Sequence, residues 1–340
     1  MTSPRDKANP AVKNAPVQGR HLSEFSIIEK FFAPLTDKDP LAFALKDDAA
    51  IIHPARGMDL VVTVDGMVAG IHFLQDDPPE EIARKLLRVN MSDLAAKGAE
   101  PLSYVLTCAW PRNHSADWIE RFAQGLAKDQ QCFGVHLIGG DTVATEGPLT
   151  LSLTAFGQVR AGQMIKRSGA LPGDLVYVSG SIGGGAAGLR VARGELSEID
   201  EAGRGVLLQH YRLPEPRLSL GRRLQGLAHA CADVSDGLLA DAAHVGEASG
   251  VKMVINLEAV PFLTQAVSAG LDKRALITGG DDYELLFTLA EDAAGEISTV
   301  AAETGVALTA IGRVETGEGV CLYDDQGREI EMRQTGYKHF

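Results

Sequence analysis

One residue constrains this chain more than any other: an aspartate on the apolar face of a helix. Ile82, Leu86 and Val89 recur at i, i+4 and i+7, so the spacing predicts an amphipathic helix over Glu81–Ala96. At about 100° per residue, Asp93 projects about 20° from Ile82, on the same stripe. Gly98 and Pro101 then stop the helix. A carboxylate among apolar side chains costs several kcal/mol unless a cation or hydrogen-bond donors meet it. The fold must therefore bring something to Asp93: a neighbouring backbone, an arginine, or a metal ion.

Strands and helices alternate on both sides of this helix. Ser23–Phe32 reads as a helix with Phe25, Ile28 and Phe32 on one side, and Ala116–Lys128 as another. Asp47–Ile52 reads as two acids entering a short strand. Leu60–Val64 reads as a strand with Asp65-Gly66 at its end. Leu102–Ala109, Val135–Ile138 and Leu149–Val159 follow, the second running into Gly139-Gly-Asp-Thr142. Lys166–Asp174 is a turn-rich junction. Beyond it, strands are expected at Leu175–Ser179, Val251–Leu257, Val306–Val314 and Val320–Tyr323, with a helix over Gly237–Ala248. The expected class is α/β (α+β) in two domains, residues 21–160 and 161–340, behind a mobile Pro-bearing tail over 1–20.

Charge narrows the partners. A formal net charge of −13 over 340 residues argues against a general nucleic-acid binder. Cys108, Cys132, Cys231 and Cys321 form no C-x-x-C pair and no disulfide framework. With no apolar run of 18 residues and no signal sequence, the expectation is a cytoplasmic protein without a membrane partner. An acidic protein that holds phosphates must recruit cations.

Aspartates supply the means. They stand at Asp47-Asp48, Asp65, Asp93, Asp141, Asp233 with Asp236, and Asp281-Asp282. Each alone fits a turn or a helix N-cap. Together they form an oxygen donor set of the kind that holds Mg²⁺, provided they converge, because like charges repel unless a cation lies between them. Gly183–Gly188 matches G-x-G-x-x-G after a strand and at a helix start, which fits either a dinucleotide loop or a structural glycine turn. Glu195 and Asp200 fit the ribose-binding acid of a dinucleotide fold only loosely. The chain has no P-loop, protein-kinase signature, H-E-x-x-H or nucleophile elbow. Among the nine histidines only His72 is embedded in a candidate site.

Seven stretches in order resemble the thiamine-monophosphate kinase family: DDAAII (47–52), TVDGMVAGIHF (63–73), RVNMSDLAAKGAEP (88–101), LIGGDT (137–142), RSGALPGDLVYVSG (167–180), ADVSDGLLAD (232–241) and GGDDYELLFT (279–288). The likeness runs from about residue 22 to the end. It implies the two-domain fold of aminoimidazole ribonucleotide synthetase, with an N-terminal sheet domain that dimerises and a C-terminal α/β domain. It also implies phosphoryl transfer from ATP to thiamine phosphate with several Mg²⁺ ions.

Carried over position by position, Asp48, Thr63, Asp65, Asp93, Asp141, Asp233 and Asp236 would hold metal. Gly140, Asp141, Arg167 and Ser235 would contact ATP, and His72, Asp281 and Gln334 would contact thiamine phosphate. Asp65, Asp141 and Arg167 would act in catalysis. Lys46, Val64, Gly66, Asp281 and Gln334 depart from the family pattern. Selenophosphate synthetases share the superfamily but need a reactive Cys or selenocysteine near the N-terminus, and the first Cys here is Cys108. The remaining alternatives are another ATP-using member of the superfamily and a non-catalytic nucleotide sensor.

Overall fold

The computed structural model describes residues 23–112, 114–332, 336 and 337; the tail expected over 1–20, and Gln334, lie outside them. Two sheets organise the chain. The first holds β1 (Met58–Val68), β2 (Glu100–Pro111), β3 (His136–Thr145) and β4 (Thr150–Arg160) in the order β1-β4-β2-β3. Strand β4 is antiparallel to β1 and β2, whereas β2 and β3 are parallel. Parallel neighbours need a crossover, and the helix Ala116–Phe133 supplies it.

The second sheet holds β5 (Leu175–Ser179), β6 (Ala230–Asp233), β7 (Lys252–Asn256), β8 (Leu285–Leu289), β9 (Leu308–Glu315) and β10 (Gly319–Tyr323). Its order is β10-β7-β9-β5-β8-β6, and only the β10–β7 pair is parallel. Helices on mainly antiparallel sheets make the architecture α+β.

The helix carrying Asp93 runs from Pro79 to Ala96, with Pro79 at its start and Glu80 and Glu81 in its first turn, where the helix dipole favours acids. It is buried on nearly every side. Ile82, Leu86 and Val89 pack into the core under the first sheet, while Ala95 and Ala96 join Leu220 and Leu224 in a core of the second half. Lys85, Arg88, Asn90 and Ser92, which an amphipathic reading leaves to solvent, are also buried. One sheet covers the helix on one side and the other half of the chain covers the opposite side.

Pairing moves several boundaries. Asp47–Ile52 forms no strand, and residues 46–57 have no regular structure, because β4 offers partners only from Met58 onward. Asp65 and Gly66 lie inside β1, opposite Leu153 and Ser152, rather than at its end. Gly139–Thr142 likewise lies inside β3, alongside β2. Available hydrogen-bonding partners override weak local propensity. Near the N-terminus, Ile28–Phe32 takes a wider π-helical turn, which shifts the phase. Phe31 and Phe32 are buried while Phe25 is 77% exposed, so Phe25 does not share the buried side expected for it.

Candidate active site

Side chains alternate along β1. Val61 and Met67 face inward and are buried, whereas Leu60, Val62 and Val64 face outward and are exposed. Thr63 and Asp65 share the inward face, toward the central helix. The Thr63 hydroxyl donates a short hydrogen bond to Asp93 Oδ2. Asp233, 4% exposed at the end of β6, accepts from Ser92 Oγ at 2.7 Å. Asp236 follows in the turn before the helix Leu238–Ser249. Asp241, in that helix's first turn, accepts from the amides of Ser235 at 3.0 Å and Asp236 at 3.1 Å. Oxygen atoms of Asp236 and Asp241 and a ring nitrogen of His244 lie within 4.8 Å of one another.

Burial and neighbouring charge raise three of these carboxylates. Burial pushes Asp65 up to about 7, helped by the charges of Asp93, Asp233 and Asp236. Burial and then Asp93 also raise Asp233, opposed by the Ser92 hydrogen bond, Lys97 and Arg167. Asp241 rises to about 8, first through burial and then through Asp233 and Asp236. Lys97, whose Nζ donates to the Cys231 carbonyl at 3.0 Å, is itself drawn downward by burial. The chain has thus gathered acids from β1, the central helix and residues 233–241, with Lys97 and Arg167 as the nearby cations. This centre suits hard divalent cations, which take oxygen ligands.

The shifts have a measurable consequence. A carboxylate raised from its ordinary value of 3.8 to about 7 or 8 on folding holds its proton more tightly in the folded state. Its stabilising contribution is complete below the unfolded pKa and is lost as pH rises through the folded one. In chelator, the melting temperature is therefore expected to fall by roughly 5 °C or more between about pH 5 and 8.5, and saturating Mg²⁺ should reduce the slope. Melting temperatures independent of pH in chelator would contradict this electrostatic account.

Other expected site residues stand apart within one chain. Asp141 lies opposite Thr107, on the outward face of the sheet, and accepts from the Thr142 amide at 2.8 Å. It is three inter-strand spacings from Asp65, on the order of 14 Å. A single chain therefore does not bring these two carboxylates onto one ion. Gly140 has a packing reason to be glycine: a Cβ there would fall 2.0 Å from the Leu106 carbonyl oxygen. Asp48 is exposed in the irregular segment, its amide donating to Asp47 Oδ1 at 2.8 Å. Arg167 is exposed but acts electrostatically on Asp233 and Asp241. Ser235 sits in the turn beside Asp236.

The expected substrate contacts His72 and Asp281 meet at a residue the sequence reading missed. Lys85 Nζ donates to Asp281 Oδ2 at 2.8 Å and to the His72 carbonyl at 3.2 Å. His72 Nδ1 accepts from the Val68 amide at 3.0 Å. A lysine on a helix flank reads as a solvated charge, so no pattern in the sequence marks Lys85. Asp241 was equally missed, although an acid in a first helical turn is a readable sign.

The glycine loop resolves in favour of a structural turn. Asp282 Oδ2 accepts from Gly183 N at 2.8 Å and its Oδ1 from Gly185 N at 3.0 Å. The anion seat at this helix N-terminus is thus filled by the chain's own carboxylate. A Cβ at Gly185 would lie 2.4 Å from the Asp281 carbonyl oxygen, so the loop is packed directly on the GGDDY segment. Strand β5 is antiparallel to both its neighbours, unlike the parallel strands of a dinucleotide-binding fold.

Known proteins share this layout. Residues 46–159 match the AIR synthase related protein N-terminal domain, and residues 172–325 match its C-terminal domain. A thiamine-monophosphate kinase of Caulobacter vibrioides is 44% identical over 325 residues, covering 93% of this chain and 91% of its own. The crystal structure of thiamine-monophosphate kinase from Stenotrophomonas maltophilia superposes with a TM-score of 0.75 at 38% identity, over 84% of this chain and 90% of that one. The structure of "AaThiL complexed with AMPPCP and TMP" has a TM-score of 0.75 at 30% identity, over 93% and 97%. With both domain matches and relatives of this likeness along nearly the whole chain, the protein belongs to the thiamine-monophosphate kinase family of AIR synthase related proteins.

Proposed function

We propose that the chain phosphorylates thiamine phosphate to thiamine diphosphate with ATP, by direct transfer at the carboxylate centre. The observation that carries the mechanism is the gathering of Asp65, Asp93, Asp233, Asp236 and Asp241, in which burial and neighbouring charge raise Asp65, Asp233 and Asp241. Such a donor set fits Mg²⁺, with Asp65, Asp93, Asp233 and Asp236 as ligands and Thr63 orienting Asp93. When bound, Mg²⁺ would neutralise the phosphates and favour their alignment. Arg167 would stabilise the transferring phosphoryl group, and Ser235 would contact ATP. Gly140, Asp141 and Asp48 enter this reading through the family resemblance alone.

The acceptor is a phosphate, largely anionic near neutral pH, so no general base is required. Nor is a covalent carrier favoured. The buried thiols of Cys108 and Cys231 are both raised by burial, Cys231 to about 12, and are poor nucleophiles.

We also read the chain as a homodimer of two domains that meet near residue 160. The outward face of the edge strand β1 presents Leu60, Val62 and Val64, which are 40%, 55% and 60% exposed. An apolar edge strand of this kind needs a cover. No helix among the described residues is long and apolar enough to cross a membrane.

The test uses γ-labelled ATP. With thiamine phosphate and Mg²⁺, labelled thiamine diphosphate is expected, and chelator should abolish it. Without acceptor, denatured protein should carry no label. A stoichiometric labelled enzyme that passes its label to added thiamine phosphate at a competent rate would overturn direct transfer. Failure to form thiamine diphosphate would overturn the substrate assignment.

A further inference from the structure

Lys85 is only 3% exposed, in the middle of the central helix. A buried ammonium is tolerated only where its charge and donors are met. Its partners come from three segments. Asp281 Oδ2 and the His72 carbonyl accept from it, and the ring centroid of Tyr211, in the helix Glu201–Arg212, lies 4.1 Å from Nζ. The His72 loop and the helix carrying Lys85 belong to the first half of the chain; Asp281 and Tyr211 belong to the second.

Both contacted loops are held from elsewhere as well. Asp281 has φ +72° and Tyr283 has φ +52°. L residues keep such angles only where the surroundings over-determine them. Between them, Asp282 is pinned by the amides of Gly183 and Gly185. The loop after His72 is pinned by Asp77, which accepts from Leu74 N at 2.8 Å, Tyr211 Oη at 3.2 Å and Arg212 Nε at 2.8 Å. Within the ion pair the Asp281 side chain keeps 29% exposure and that of Lys85 4%. A ligand can therefore reach Asp281, while Lys85 stands behind it.

We propose that Lys85 is a positioning residue for thiamine phosphate. It aims the Asp281 carboxylate and fixes the His72 loop against it, so that this subsite is assembled only when the two halves of the chain are docked. The proposal rests on the reading of His72 and Asp281 as contacts to that substrate.

The experiment measures steady-state kinetics with each substrate varied, for Lys85→Met, Asp281→Asn and the double variant. Lys85→Met is expected to raise KM for thiamine phosphate about tenfold or more and leave KM for ATP within about twofold. The double variant should be no worse than the more damaged single variant, because both remove one arrangement. Should Lys85→Met fail to fold, Lys85→Gln, which keeps a donor for the His72 carbonyl, should show the same selective rise. Equal rises in both KM values, or losses that multiply in the double variant, would overturn the proposal. If Asp281→Asn raises the thiamine phosphate KM and the Lys85 variants do not, only the role of Lys85 fails. If Asp281→Asn changes nothing, the substrate reading of Asp281 fails and the proposal falls with it.

Discussion

Asp93→Asn is expected to lower kcat by about 10²- to 10⁴-fold while the protein still folds. The amide has the shape of the carboxylate and still offers an oxygen to the Thr63 hydroxyl. What it lacks is the negative charge, and that charge is the leading electrostatic influence of a neighbour on both Asp65 and Asp233. Asp65 should then titrate lower, and the metal-free variant should lose less stability than the parent at alkaline pH. Metal-free melting curves and Mg²⁺-dependent kinetics measure the two effects separately. A variant as active as the parent, or one that does not fold, would remove Asp93 from the metal-binding set and return it to a structural part.

The second large effect is on stability. Asp129→Ala should cost about 3–5 kcal/mol, because it strips the main partner from the buried Arg88 and the partly buried Arg84. Asp129 is fully buried, accepting from Arg84 Nε at 2.8 Å and from Arg88 Nε at 2.6 Å. Arg88, 5% exposed, also donates to the Pro214 carbonyl at 3.0 Å and to Glu215 at 2.8 Å. This network ties the crossover helix and the central helix to the segment before the helix Leu218–Arg223. Without Asp129 the Arg88 guanidinium keeps only Glu215 as a counter-charge, and that side chain is 56% exposed. Denaturant unfolding of the variant measures the loss; a cost below about 1 kcal/mol would mean that water or Glu215 replaces the carboxylate.

Much of this centre was readable from residue order. The 3.6-residue spacing of Ile82, Leu86 and Val89 located the central helix and showed that Asp93 lies on its apolar side. The strand cores Leu102–Ala109 and Leu149–Val159 appear close to their observed limits, because apolar alternation reports the core face directly. The motifs around Asp65, Asp93 and Asp233 carried the family resemblance, and their charges meet in the structure.

What stayed hidden depends on pairing between distant segments. Periodicity reports one buried face of a helix, so it could not show that Lys85 and Arg88 are buried under a second domain. Lys85 and Asp281 are 196 positions apart, and nothing local in either segment announces the other. Asp141 reads like Asp65 in sequence, an acid beside glycine. Strand order and register instead set it on the outer face of the opposite edge, since a one-residue change of phase turns a side chain to the other face. The glycine loop had the spacing for a pyrophosphate, and only the packing of the GGDDY segment filled its amides with Asp282. Local spacing determined which chemical groups the chain has and which elements carry them. Register and domain docking decided which of those groups share a site, because a carboxylate acts only on what lies within a few ångströms of it.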